Sequence, residues 1–169
     1  MASTSLNIQS LLEKLRSEFS DIVAFRIKKD GAYVELTGQQ VVDRAEIIGV
    51  HLQSLGLETG DRVALLSENR PEWGVSYLAI VCHGFIAVPL DRLLKPLEIR
   101  NILEDSGSRA VVVSDDFLSD VEAIASELPE LTHVLRMDRL MAVEKAEAAA
   151  GLSDSQPDDL AALIYTSGT

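Results

Sequence analysis

Cysteine is nearly absent. Cys82 stands alone in 169 residues, which excludes an internal disulfide and a cysteine-rich zinc site within one chain. That usage suits a reducing compartment. Basic residues are scarce too: 15 Lys and Arg face 27 Asp and Glu, for a formal net charge of −12. No basic run exceeds Lys28-Lys29, so a nucleic-acid or anionic-membrane surface is not the default. The first nine residues lack a basic head and an apolar stretch, and no secretory signal is visible. The longest apolar runs, 77–82 and 85–90, are far too short to span a bilayer. No G-x-G-x-x-G precedes Asp115-Asp116, which removes the support a dinucleotide-binding reading of those acids would need. The expectation is a cytoplasmic chain with no nucleic-acid partner and no transmembrane segment.

What is present reads as an ordinary globular chain, 47% hydrophobic and 25% charged. A domain near this size buries roughly 68–70% of the surface its unfolded chain exposes. Apolar residues at helical spacing over 5–19 predict a helix. The runs 22–27 and 32–36 flank Lys28-Lys29-Asp30-Gly31, and Asp-Gly between two such runs predicts a β-hairpin. Thr37 and Gln40 form a T-x-x-Q pair that caps a helix reciprocally. That helix is predicted over 38–55, with Val41, Val42, Ala45, Ile48, Gly49, Leu52 and Leu55 on one face.

A strand–helix pattern then repeats. Strands are predicted at 62–66, 84–90 and 110–114, and helices at 72–83, 97–105 and 119–128. Pro71 and Pro96 sit at helix starts, where the missing N–H is not needed. Residues 132–137 read as a fourth strand and 140–149 as an Ala/Glu-rich helix. Short connections between alternating strands and helices imply right-handed βαβ units and a parallel sheet. Pro89 near a strand end marks an edge, a bulge or a termination. The fold class is α/β, a mostly parallel sheet flanked by helices, with a small N-terminal hairpin. One domain is expected over 1–169: helix and hairpin in 1–36, an α/β core in 37–150, a polar connector in 151–159, and a strand with a loop in 160–169.

The last ten residues, LAALIYTSGT, carry the chemistry. An apolar run empties into Thr166, Ser167, Gly168 and Thr169. Such a cluster is either a plain turn or an anion site, in which consecutive backbone N–H groups and hydroxyls meet phosphate oxygens.

Residues 159–169 (DLAALIYTSGT) resemble the start of the signature of adenylate-forming, AMP-binding enzymes, among them the acyl-CoA synthetases. The likeness continues elsewhere in family order. Residues 55–65 (LGLETGDRVAL) are similar to the family's LGV-x-x-GDRVAL, and 84–91 (GFIAVPLD) to its AG-x-x-x-VPL(D/N). Residues 69–73 and 77–80 resemble the helix between those two stretches, and 99–107 resembles the helix after them. Leu36-Thr37-Gly38-Gln39-Gln40 departs from the usual Leu-Thr-Tyr-x-Glu, and Cys82-His83 replaces a common Lys-Ala. The resemblance implies the N-terminal subdomain of the acyl-CoA synthetase-like fold and a two-step ligase. A carboxylate attacks the α-phosphate of Mg·ATP, releasing pyrophosphate, and a thiol, usually coenzyme A, then displaces AMP. It implies ATP, Mg2+ and coenzyme A as cofactors and a small-molecule carboxylic acid, such as a fatty acid, as substrate.

Thr166, Ser167, Gly168 and Thr169 are implied to hold the β- and γ-phosphates. The motif continues Thr-Gly-x-Pro-Lys-Gly in the family, and this chain supplies its first half. The expectation is therefore an N-terminal fragment that is inactive alone, carries no catalytic residue and associates with itself through an exposed apolar face. The alternatives are a carrier-protein-loading adenylation domain and a non-catalytic α/β binding or oligomerisation module. Simpler readings are expected at the remaining polar positions. Gly60-Asp61-Arg62 is a turn into a strand, Asp115-Asp116 opens a helix, and Glu104-Asp105 is a solvated pair. Cys82 is a core thiol, Trp73 and Tyr77 are packing residues, and His51, His83 and His133 lie too far apart to suggest a metal site.

Overall fold

A computed structural model of the chain describes residues 7–144 and 156–166. The elements run α1 (Ile8–Glu18), β1 (Val23–Lys29), β2 (Ala32–Thr37), α2 (Gly38–Ser54), β3 (Arg62–Leu66), α3 (Pro71–Cys82) and β4 (Ile86–Pro89). They continue with α4 (Pro96–Ser106), β5 (Ser108–Val113), α5 (Asp115–Ala125), β6 (His133–Arg136) and α6 (Met137–Leu140). β1 and β2 form an antiparallel hairpin, and the other four strands form a parallel sheet in the order β4-β3-β5-β6.

Local chemistry explains most of these boundaries. The hairpin turn has Asp30 at φ 50° and Gly31 at φ 84°, the two positive values that a tight hairpin turn requires. Thr37 Oγ1 accepts from the Gln40 N–H at 3.3 Å while the Thr37 N–H donates to Gln40 Oε1 at 2.9 Å. Two amide donors that the start of α2 would otherwise leave unpaired are thereby satisfied.

The sheet is covered on both faces. Residues 63–66 and 110–113 are all buried completely, as near-continuous apolar strands in a parallel sheet should be. Period two divides them. Val63, Leu65, Ala110 and Val112 face α2 and α3 with Val42, Ile48 and Ile80. Ala64, Leu66, Val111 and Val113 face α4 and α5 with Ile99, Leu103 and Val121. Each fully buried aliphatic side chain contributes about 1.5–3 kcal/mol relative to exposure.

Three elements differ from the sequence expectation. The fifth helix begins at Asp115, four residues before the apolar periodicity: Ser114 is extended and Asp115 and Asp116 occupy the first turn, where acids are stabilised by the helix dipole. The helix expected over 140–149 is instead α6, because Met137 and Leu140, one turn apart, both insert into the core. Residues 141–142 are a turn, and 145–149 lie outside the described residues.

The strand expected over 160–165 shrinks to a single parallel bridge between Ala162 and Ala87. The Ala87 N–H donates to Ala161 O at 2.9 Å, and the Leu163 N–H donates to Ala87 O at 2.8 Å. Along β4, the Ile86 and Leu90 amides point to the Asp61 and Leu65 carbonyls on the β3 side, so residues 87 and 89 address the outer side. Residue 89 is proline and has no N–H to give. The ladder ends there, and Ile164 and Tyr165 are exposed.

Candidate functional site

From β3 the chain passes through α3 to β4 on one side, then crosses back through α4 to β5 on the other. Its direction of winding therefore reverses between β3 and β5. In open parallel sheets, ligands gather outside the carboxyl ends of the strands at such a reversal. Here that crevice is framed by the loop after β3, with Ser67, Glu68 and Arg70, and by Ser114 and Asp115 after β5.

The crevice is polar and internally paired. Ser114 Oγ, almost fully buried, donates to Glu68 Oε2 at 2.6 Å, and Ser67 Oγ donates to the Glu68 carbonyl at 2.7 Å. The Arg70 guanidinium divides itself among Glu72 at 2.9 Å, Glu68 at 3.3 Å and Asp138 at 2.6 Å. Arg136 grips Asp115 through two bonds of 3.0 and 2.7 Å.

These contacts set the charge states. Partial burial pulls the Glu68 carboxyl upward, but hydrogen bonds, chiefly from Ser114, and the Arg70 charge hold it below its ordinary value. Burial also opposes ionisation of Glu72, and Arg70, with Lys29 beyond it, overcomes that. Arg70 is raised, first by its bond to Glu72 and then, against its burial, by Asp138. Arg136 lowers Asp115. The Ser114–Glu68 contact ties the loop after β5 to the loop after β3. The sequence reading passed over this crevice; the signal for it was the placing of Ser-Glu and Ser-Asp immediately after two buried strands.

The residues singled out from the sequence fall elsewhere. Thr166 is exposed, at the end of the segment that bridges β4. Ser167, Gly168 and Thr169 lie outside the described residues. Among the described residues, no hydrogen bond or ion pair joins Thr166 to the crevice. The Tyr165 hydroxyl donates to Asp105 Oδ2 at 2.7 Å, so the segment leaves the sheet across the last turn of α4. Asp105, expected to be merely solvated, is thus a tether, whereas Glu104 pairs with Arg100 at 3.2 Å.

The simpler readings fit Cys82, Asp61, Trp73 and Tyr77. Cys82 and His83 face different partners: the thiol donates to Ile8 O at 3.7 Å and His83 Nδ1 lies 2.9 Å from Ala79 O. Burial pushes the Cys82 thiol up to about 12, the mark of an inert core residue. Asp61 accepts from the Glu58 N–H at 2.8 Å and from Arg109 at 2.7 Å, closing the turn into β3. Trp73 and Tyr77 stack at 5.4 Å within α3. Among the described residues, no group of three or more His, Cys, Asp or Glu side chains converges as a metal set, and no helix is long and apolar enough to cross a membrane.

Comparison with known proteins follows the same line. The family model for AMP-binding enzymes matches residues 12–169. A long-chain-fatty-acid–CoA ligase of Mycobacterium bovis is 30% identical over 96% of this chain and 29% of its own length. Among solved structures, the anthranilate CoA ligase AuaEII in complex with anthranoyl-AMP superposes with a TM-score of 0.85 at 30% identity, over 97% of this chain and 32% of that one. The N-terminal domain of FACL13 from Mycobacterium tuberculosis superposes at 0.82 and 27% identity, over 96% of this chain and 42% of that one. The chain thus spans between 2% and 35% of the length of the curated relatives it matches, and 29% of the mycobacterial ligase.

Proposed function

Since the chain belongs to the AMP-binding enzyme family, we propose that it forms the amino-terminal part of an AMP-forming acid–thiol ligase. The observation that carries this reading is the superposition, over nearly the whole chain, on a ligase bound to its acyl-adenylate. In the proposed reaction a carboxylate oxygen attacks the α-phosphorus of ATP and pyrophosphate leaves. The sulfur of coenzyme A then attacks the acyl carbon and AMP leaves. Both steps depend on positioning and on neutralising phosphate charge more than on covalent help from side chains.

Within this chain, Thr166, Ser167, Gly168 and Thr169 are the residues assigned to the β- and γ-phosphates. Thr166 is exposed, so it can be reached by a ligand. Mg2+ when bound would neutralise phosphate charge. Among the described residues no set of three or more His, Cys, Asp or Glu side chains converges to hold the ion. Long-chain acyl and aryl acids are the two substrate classes that the relatives' names suggest.

The test is carboxylate-dependent exchange of radiolabelled pyrophosphate into ATP, with fatty and aromatic acids as the panel. A longer protein containing this chain together with the rest of the family motif is expected to exchange label. The 169-residue chain alone is expected to show none. Exchange by the purified short chain, or its absence from the longer protein with every acid in the panel, would sink the reading.

A further inference from the structure

The segment that leads to Thr166 loses its backbone pairing early. It makes two bonds to Ala87, and Pro89, next along that side of β4, has no N–H to give. Side chains take over from there. Leu163 packs against the core on the α4 side, and Tyr165, two residues on, lies on the same face of an extended chain. The Tyr165 hydroxyl donates to Asp105 Oδ2 at 2.7 Å, across 60 positions of sequence. Ile164 between them is 74% exposed.

Asp105 is oddly placed for a residue that serves only its helix. It stands in the last turn of α4, which carries no basic residue, and a carboxylate there opposes the helix dipole. Among the described residues no cation pairs with it, whereas Glu104 beside it has Arg100. Its base is well anchored. The Arg62 guanidinium donates to Ser106 O at 2.8 Å and to Gly107 O at 2.9 Å, which ties the end of α4 to the start of β3.

We propose, on the reading of residues 166–169 as phosphate-binding, that Tyr165 and Asp105 are positioning residues. Their bond replaces the missing ladder and fixes the point and direction from which Thr166 leaves the sheet. A loop held at its root has less ordering left to do when it meets the nucleotide, so the bond should show in the affinity for ATP.

The test uses the longer protein and pyrophosphate exchange. Tyr165→Phe and Asp105→Ala should each raise KM for ATP about twofold to tenfold, the span of one net hydrogen bond, with KM for the carboxylic acid unchanged. Asp105→Asn keeps an acceptor for the hydroxyl and should restore most of the loss. The double variant should be worse than neither single by more than about twofold. General damage to the fold would instead lower kcat with both KM values unchanged. An unaltered KM for ATP in both single variants, or losses that multiply in the double, would overturn the proposal. The 169-residue chain gives a second readout that needs no activity. The heteronuclear NOE of the Thr166 amide should fall in Tyr165→Phe and Asp105→Ala and hold in Asp105→Asn. If the longer wild-type protein exchanges no label, the ligase reading alone fails and the NOE decides the tether; an NOE unchanged in all variants would overturn it.

Discussion

Gly49→Ala should destabilise this protein, against the usual effect of that substitution in a helix. Gly49 lies within α2, where alanine is normally favoured by about 1 kcal/mol. A methyl added here, however, would sit 2.0 Å from His83 Nδ1 and 2.2 Å from Cγ and Cε1. The ring has nowhere to go: it is 1% exposed and Nδ1 is tied to Ala79 O at 2.9 Å. Overpacking of this kind costs about 1–3 kcal/mol, and turning the ring forfeits a hydrogen bond worth about 1 kcal/mol. Setting the helix gain against these leaves a net loss of about 1–3 kcal/mol, or roughly 2–10 °C in Tm for a chain of this size.

Thermal and urea melts followed by far-ultraviolet circular dichroism would measure it. The decisive comparison is the same change in a His83→Ala background. There the space opens, and Gly49→Ala should become neutral or stabilising by up to about 1 kcal/mol. A rise in Tm in the wild-type background, or the same loss in both backgrounds, would refute the reasoning.

Four further outcomes are expected. Burial holds His83 below its ordinary value of 6.5 despite the Ala79 carbonyl and Glu46, so the unfolded chain takes up a proton that the folded one refuses. Stability should fall as pH drops through and below about 6.5, and His83→Gln should flatten that part of the Tm profile. Tyr165, though exposed as a residue, is pushed up to about 12, first by the partial desolvation it does undergo and then by Asp105; in a spectrophotometric titration Asp105→Asn should move its ionisation downward. Cys82 should resist a thiol reagent at pH 8 until the protein is unfolded, and prompt labelling of the native state would contradict its burial. Thr37→Ala should cost about 0.5–2 kcal/mol in urea melts through loss of the cap on α2, whereas Gln40→Glu, which keeps an acceptor, should cost less.

The sheet was legible because its information is local. Val-rich stretches such as residues 110–113, Asp30-Gly31, the Thr37–Gln40 box and the helix-opening prolines each announce their element within a few residues. The extent of the strand expected over 160–165 was not legible there, because the residue that halts its pairing is Pro89, on a different strand. The Arg70 cluster escaped for a related reason. Asp138 is 68 positions away, and a list of charges does not say which of them a parallel sheet will stack at one end. Gly49 and His83 each looked unremarkable, and only the packing of α2 on α3 sets them against each other. The motif at residues 166–169, proposed to meet phosphate, was readable in the sequence, and of its four residues Thr166 lies among those described.

The Ala87–Ala162 bridge also bears on the order in which the molecule assembles. β3, β4 and β5 are joined by single helices, so their pairing closes short loops and can form early. The bridge must wait until the chain has built β6 at one margin and returned to the other, and it then has only two backbone bonds to hold it. It should be the last contact made and the first lost. In pulsed hydrogen exchange during refolding, the Ala87 and Leu163 amides, which make the two bonds of the bridge, should gain protection well after those of β3 and β5. The outer margin of β4 is thus a joint expected to close late, and with it the segment up to Thr166 is fixed against the sheet.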